Sequence, residues 1–114
     1  MSPILFGVSA GVVIIGAILL TWWRDEVRVA EGRRLMRWGA TLVDVDEIED
    51  FEREHVDGAK NIPLTQLAQR ADELGPLDVP IVVYGRGRLR GARATHELRK
   101  LGYHQVFNMG GFRQ

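Results

Sequence analysis

The N-terminal part of the chain is uniformly apolar, whereas the rest alternates between apolar and polar positions. Residues 3–23 read PILFGVSAGVVIIGAILLTWW and carry no charged side chain over 21 positions. As a helix rising about 1.5 Å per residue, this run would span roughly 30 Å, the thickness of a bilayer's hydrocarbon core. A cleaved signal peptide fits less well, because no basic residue precedes the run, the run is long, and no A-x-A site follows it. We therefore predict a retained transmembrane helix within residues 1–23.

The charges that flank this segment predict its orientation. Only the amino group of Met1 precedes it, whereas five arginines follow it closely, at positions 24, 28, 33, 34 and 37. We therefore predict a protein that crosses a bacterial-type inner (cytoplasmic) membrane once. Under the positive-inside rule, its C-terminal domain lies in the cytoplasm. Gly7 and Gly11 form a GxxxG pair through which two such helices can associate, although glycine is also common in membrane helices that stay apart.

After the apolar segment, runs with helical and strand periods follow one another. Residues 24–38 are predicted to form a charged connector and a first helix, which has a partial apolar face. β-branched runs predict strands, and amphipathic runs between them predict helices. The predicted strands are 41–45, 59–62, 80–84 and 105–108, and the predicted helices are 47–55, 65–74 and 91–101. This alternation indicates an α/β fold, a small parallel sheet flanked by helices, over residues 39–114.

Several side chains are expected to lie in the core of this domain. Ile48 and Phe51 are predicted to point inward from the second helical run, and Leu67 and Ala68 from the third. Trp38 and Tyr84 are expected to be core or edge aromatics.

Composition and charge exclude several classes of function. The 15 basic and 15 acidic residues balance, which argues against nucleic-acid binding through bulk electrostatics. The sequence has no cysteine, which excludes disulfides, thiolate catalysis and thiolate metal sites. Its three histidines, at positions 55, 96 and 104, are too far apart in sequence for a metal-ligand motif. We therefore expect no metal and no cofactor.

The segment Gly85-Arg-Gly-Arg-Leu-Arg90 is the main candidate site. It joins a buried strand to a helix, so its backbone N–H groups are aimed at one point, as suits an anion. Three arginine side chains, those of Arg86, Arg88 and Arg90, can add to this attraction for a small oxyanion such as sulfate, thiosulfate or phosphate. The alternative is a solvated surface loop whose charges face water. The segment contains no Cys, Ser or Thr and therefore no nucleophile.

Carboxylates follow the first predicted strand. Asp44 comes at its end and is interpreted either as an edge of the site or as a structural acceptor for backbone or arginine groups. Asp46, Glu47 and Glu49 are more typical of acidic residues at a helix N-terminus than of a metal site. His55 is expected to cap or pack at the end of that helix.

Several motifs together resemble a single-domain rhodanese, a sulfurtransferase-like module. They are Gly39-Ala-x-Leu-Val-Asp-Val45, Phe51 to His55-Val-Asp-Gly-Ala59, Asn61-Ile-Pro-Leu64, the strand, loop and helix at 81–94, and Leu101-Gly-Tyr through Asn108-Met-Gly-Gly111. The resemblance implies a loop after the central strand whose first residue, in the family, is a catalytic cysteine. This cysteine carries a sulfane sulfur as a persulfide. That position here is Gly85, so the resemblance implies a member with no catalytic residue.

The resemblance also implies two further departures. The family often has arginine at the position of Asp46, so the charge is reversed there. It also normally continues beyond the Gly-Gly turn into a closing helix, whereas this sequence ends at Gln114. On that basis, one face of the sheet is expected to be partly uncovered, with a partner or the membrane surface to cover it.

These observations favour a membrane-anchored, catalytically inactive rhodanese-like domain that binds a protein partner or a small anion. One alternative is an accessory role in sulfur transfer, in which a partner supplies the cysteine. Another is a membrane scaffold, in which the transmembrane helix carries the specificity.

Overall fold

The computed structural model describes residues 29–111, and of Arg88 only the backbone. The predicted transmembrane helix at 1–23, its orientation and the Gly7–Gly11 pair lie outside the described residues and stay predictions. Between residues 29 and 111, no helix has the length and apolar character needed to cross a bilayer.

Four parallel strands form one sheet, as the alternating pattern predicts. The strands are β1 (Thr41–Asp44), β2 (Lys60–Asn61), β3 (Ile81–Tyr84) and β4 (Val106–Gly110), in the spatial order β2-β1-β3-β4. β3 has four buried side chains because it lies between two strands and under helices on both faces. The carboxyl ends of all four strands meet at one edge, which is where ligands bind in sheets of this kind.

The helices differ from the sequence predictions mainly at their ends. They are α1 (Val29–Arg37), α2 (Ile48–Arg53), α3 (Leu67–Arg70) and α4 (Arg88–Lys100). The predicted helix at 65–74 is broken, because short 3₁₀ turns at Leu64–Gln66 and Ala71–Leu74 flank α3. α4 begins three residues earlier than predicted, because Gly87 has a φ of 74° and turns the chain into the helix at once.

Side chains of β3 alternate between the two faces of the sheet and lie in an apolar layer on each face. Ile81 and Val83 face one side and pack with side chains of α3 and α4, including Leu67 and Leu98. The opposite side is a second cluster that contains Leu42, Val82, Tyr84 and Met109 together with Val29, Leu35 and Met36 of α1. Tyr84 is thus a core aromatic, as predicted.

The expectation of a partly uncovered sheet face is wrong for the described residues. The four strand residues of the second cluster are each at most 3% exposed, because α1 covers them. Gly32 makes this close approach feasible, since a Cβ at that position would lie 2.6 Å from Sδ of Met109. Helix α1 is therefore part of the packed domain and not only a connector.

Three side chains predicted to be buried or half-buried are exposed. Trp38 is 81% exposed because it follows the last residue of α1 and projects from the turn. Ile48 is also exposed, because α2 is short and contributes no fully buried residue. Ala68 faces solvent, since the 3₁₀ turns on either side of α3 change which residues point inward.

Candidate functional site

The candidate site lies where the carboxyl ends of β1 and β3 meet. The backbone N–H of Val45 donates to the carbonyl of Tyr84 at 3.0 Å, so the two chains leave the sheet side by side. The N–H of Gly85 donates to the carbonyl of Gly110 at 3.2 Å, which adds the end of β4. These contacts bring residues 44–46 against residues 85–87.

The turn that carries Asp46 is held by side chains of its neighbours. Oδ1 of Asp44 accepts the N–H of Asp46 at 2.8 Å. Nδ2 of Asn61 donates to the carbonyls of Asp44 and Asp46, at 3.1 and 2.8 Å. Because the backbone is fixed in this way, the Asp46 side chain is directed at the 85–90 segment.

Asp46 contacts the first residues of that segment directly. Its Oδ1 accepts the backbone N–H of Arg86 at 2.9 Å and lies 3.8 Å from Nη1 of Arg90. A Cβ built on Gly85 would lie 3.1 Å from the same oxygen, with Val45 and Arg90 also close. The position to which the resemblance assigns a nucleophile is therefore bordered by a carboxylate.

The described arginines of the segment are engaged by acidic residues. Nη1 of Arg86 lies 3.4 Å from Oδ1 of Asp50, and the same carboxylate oxygen pairs with Nη2 of Arg53. Arg90 approaches Asp46 as described above. The side chain of Arg88 lies outside the described part. Arg86 and Arg90 thus belong to a network of mixed charge.

A cavity of about 590 Å³ opens beside this contact. Its lining contains three carboxylates, two guanidinium groups and three glycines: Asp46, Asp50, Glu54, Arg53, Arg86, Gly85, Gly87 and Gly111. None of these lining residues carries a thiol, hydroxyl or imidazole group. The cavity can therefore bind charged groups, but its side chains cannot perform nucleophilic sulfur chemistry.

Asp44 is not among the residues that line the cavity. Its side chain is fully buried, and Oδ2 has no hydrogen-bond partner among the described residues. Burial raises the pKa of the Asp44 carboxyl and outweighs the opposing interactions with the N–H of Asp46 and the hydroxyl of Tyr84. The hydroxyl of Tyr84, whose own pKa is raised by burial, accepts the N–H of Val56 at 3.0 Å. Asp44 thus serves as a structural acceptor, one of the two interpretations of this residue, and its role at the edge of the site stays a prediction.

The structure also revises the bounds of the candidate loop. Gly85, Arg86 and Gly87 form the turn, whereas Arg88, Leu89 and Arg90 form the first turn of α4. Leu89 is exposed and points away from the apolar layers. Anion binding by this segment stays a prediction.

Sequence reasoning missed Asp50, Arg53 and Glu54 as residues of the site. Their signal was weak, because charges on a short helix are typical of any solvated surface.

His55 packs at the end of α2, as predicted. Its Nδ1 donates to the carbonyl of Phe51 at 2.6 Å, and its ring stacks on Phe51. Within residues 29–111, no three His, Cys, Asp or Glu side chains are grouped as metal ligands would be.

Comparison with known proteins places these observations in one family. A family model described as "Rhodanese-like domain" matches residues 29–114. YqhL of Bacillus subtilis, an uncharacterized protein, is 43% identical over 76 residues, which are 66% of this chain and 60% of that protein. The chain thus spans less than two thirds of this relative's length.

Two solved structures agree with the sequence matches. The human single-domain sulfurtransferase TSTD1 superimposes with a TM-score of 0.70 at 29% identity, over 78% of this chain and 92% of that one. An Escherichia coli rhodanese, solved with anions, gives a TM-score of 0.62 at 32% identity, over 66% and 89% of the two chains.

Proposed function

The chain belongs to the family of rhodanese-like domains, and we propose that it is a member without catalytic activity that serves as a binding module at a membrane. The observation that carries this proposal is the pairing of Gly85 with Asp46. Where the resemblance assigns the sulfur-accepting cysteine, the chain has a glycine, and a carboxylate oxygen borders that position.

The chemistry of the family requires a thiolate at this point. A thiolate attacks the sulfane sulfur and holds it as a persulfide, and neighbouring N–H groups stabilise the resulting charge. The chain has no cysteine at all, so no neighbouring residue can take over the role. A carboxylate beside the position would further disfavour an anionic sulfur.

An assay of sulfur transfer from thiosulfate to cyanide tests this proposal. We expect the purified chain to show no turnover above the uncatalysed rate, and the Escherichia coli rhodanese serves as the positive control. Gly85→Cys tests whether the remaining geometry supports catalysis. Turnover by the cysteine-free chain would contradict the proposal.

A protein partner is the ligand that the cavity supports best. Its lining contains both carboxylates and guanidinium groups, which suits a polar surface with both signs of charge. A photo-crosslinking residue in place of Arg86, whose side chain reaches solvent, should capture this partner in membranes. The same residue in place of His96, which is exposed on α4 and does not line the cavity, is the control. Equal capture at both positions would contradict docking at the cavity.

We place the module at a membrane because residues 3–23 carry no charge and five arginines follow them. The positive-inside rule then puts residues 29–114 in the cytoplasm. A reporter that is active only in the cytoplasm, fused after Gln114, should be active. Activity of a periplasm-specific reporter at the same point would reverse the assignment.

A small oxyanion is the second ligand to test against the same cavity, and its binding there depends on the contacts that Asp46 makes. It is favoured by the N-terminus of α4, where the N-cap residue is Gly87 and has no side chain that could cap the helix N–H groups. The related rhodanese from Escherichia coli was solved with anions. The contacts of Asp46 bear directly on this candidate.

A further inference from the structure

We propose that the carboxylate of Asp46 is the resident anion of the turn at 85–87, so that the chain fills its own anion site and excludes free oxyanions from it. The inference concerns what the site binds in the native chain. It holds whether or not a partner or a membrane is involved.

The contacts of Asp46 are those that a bound oxyanion would make. Its Oδ1 accepts a backbone N–H from Arg86 at 2.9 Å and has the guanidinium of Arg90 at 3.8 Å. Backbone amides and guanidinium groups are the two kinds of donor from which proteins build oxyanion sites. A carboxylate from within the chain therefore satisfies donors that are otherwise available to sulfate or thiosulfate.

The position of this carboxylate is fixed before any ligand arrives. The backbone of Asp46 is held by Oδ1 of Asp44 on one side and by Nδ2 of Asn61 on the other. Its side chain is only 5% exposed. A free anion must compete with a group that pays no entropy of association, and it would bring a second negative charge beside the first.

The glycine at position 85 makes room for this arrangement. Gly85 does not have a positive φ, so the backbone itself does not require glycine there. Its hypothetical Cβ would lie 3.1 Å from Oδ1 of Asp46 and 3.1 Å from Cγ2 of Val45, which is close but requires shifts of only tenths of an ångström. A cysteine at this position can therefore be built, and its sulfur would lie next to the carboxylate.

Anion titrations of the full chain in nonionic detergent micelles test the inference. The probes are inorganic sulfate and thiosulfate, and the readout is the ¹H–¹⁵N shifts of the Arg86 and Gly87 amides. Asp46→Ala removes the carboxylate, whereas Asp46→Asn keeps an acceptor for the Arg86 N–H and removes only the charge. Glu49→Gln, an exposed residue of α2, is the matched control for net charge.

We expect both Asp46 variants to bind sulfate at least about tenfold more tightly than wild type, and Glu49→Gln to behave as wild type. If Asp46→Ala loses the native spectrum, Asp46→Asn carries the test. Saturable sulfate binding by wild type with shifts at Arg86 would overturn the inference, as would variants that bind no better.

A cysteine probe gives a second readout that does not depend on anion binding. Iodoacetamide alkylates only the thiolate, so its rate against pH reports the pKa of a cysteine at position 85. We expect the Gly85→Cys/Asp46→Asn double variant to be alkylated about tenfold faster near neutral pH than Gly85→Cys alone. The Gly85→Cys/Glu49→Gln variant should match Gly85→Cys. Identical pH profiles for all three variants would show that Asp46 does not change the pKa of a cysteine at position 85.

Discussion

Asp44 and Asp46 are two residues apart, yet they lie in opposite environments. Asp44 points into the core, where Oδ2 finds no hydrogen-bond partner among the described residues. Asp46 points into the site, where its carboxylate accepts the N–H of Arg86. In an extended chain, residues two apart point to the same side. The chain must therefore turn after Val45 for Asp46 to be directed at the site. Two carboxylates in one short motif thus serve structure and site separately.

The buried carboxyl of Asp44 should make the stability of the domain depend on pH. Its pKa is raised by burial above the unfolded value of about 3.9. In the window between these values the folded state binds more protons than the unfolded state, so the free energy of unfolding falls as pH rises from about 4. Asp44→Asn should remove this decline, because the amide does not titrate in either state. Chemical unfolding at several pH values measures it.

The control for this prediction is Asp72→Asn, since Asp72 is exposed. It should leave the pH dependence as in wild type. A decline with pH that persists unchanged in Asp44→Asn would mean that another group is responsible.

At the scale of elements, the contact of α4 with β4 depends on a missing side chain. A Cβ on Gly91 would overlap Oδ1 of Asn108 and lie 2.9 Å from its Cγ. Asn108 cannot easily move away, because the same Oδ1 accepts the N–H of Gly110 at 2.9 Å and the residue is buried. The helix can therefore lie against the end of the strand only with glycine at this position.

Gly91→Ala separates this packing requirement from helix propensity. Alanine favours an isolated helix over glycine by about 1 kcal/mol. The overlap with Asn108 should reverse the sign, and we expect the variant to lower the free energy of unfolding by about 1–3 kcal/mol. Urea unfolding measures the change, with Arg93→Ala on the exposed side of the same helix as the control. A gain in stability would show that the strand end yields.

At the scale of the whole molecule, the folding unit includes a helix that the sequence assigned to a connector. Helix α1 covers the cluster of Leu42, Val82, Tyr84 and Met109. Its Gly32 lies against Met109 and Val82, where a larger side chain would not fit. The family model likewise begins at residue 29. The domain boundary predicted at residue 39 thus divides a packed layer.

Two truncations test this boundary. A chain that begins at residue 29 should unfold cooperatively, because it keeps α1 on the sheet. A chain that begins at residue 39 should expose the apolar side chains of the second cluster, bind the dye ANS and lose its cooperative thermal transition. Thermal unfolding and ANS fluorescence of the two fragments compare them directly. Equal stability of both would mean that α1 contributes little to the fold.

The sequence by itself determined the architecture of this protein. Local patterns, such as the β-branched runs at 41–45 and 80–84 and the helical runs between them, specify the strands and helices. The alternation of strands with helices specifies that the sheet is parallel. The missing cysteine is likewise a matter of composition, so the lack of a sulfur nucleophile needed no structure.

Only the tertiary structure decided how the site is occupied and where the domain begins. Asp46 and Arg86 are 40 residues apart, and their contact exists only because β1 and β3 lie side by side with their ends aligned. The cover that α1 provides depends in the same way on Gly32 meeting Met109, which is far along the chain. Periodicity reports which face of an element is apolar, but not which distant side chain that face will meet.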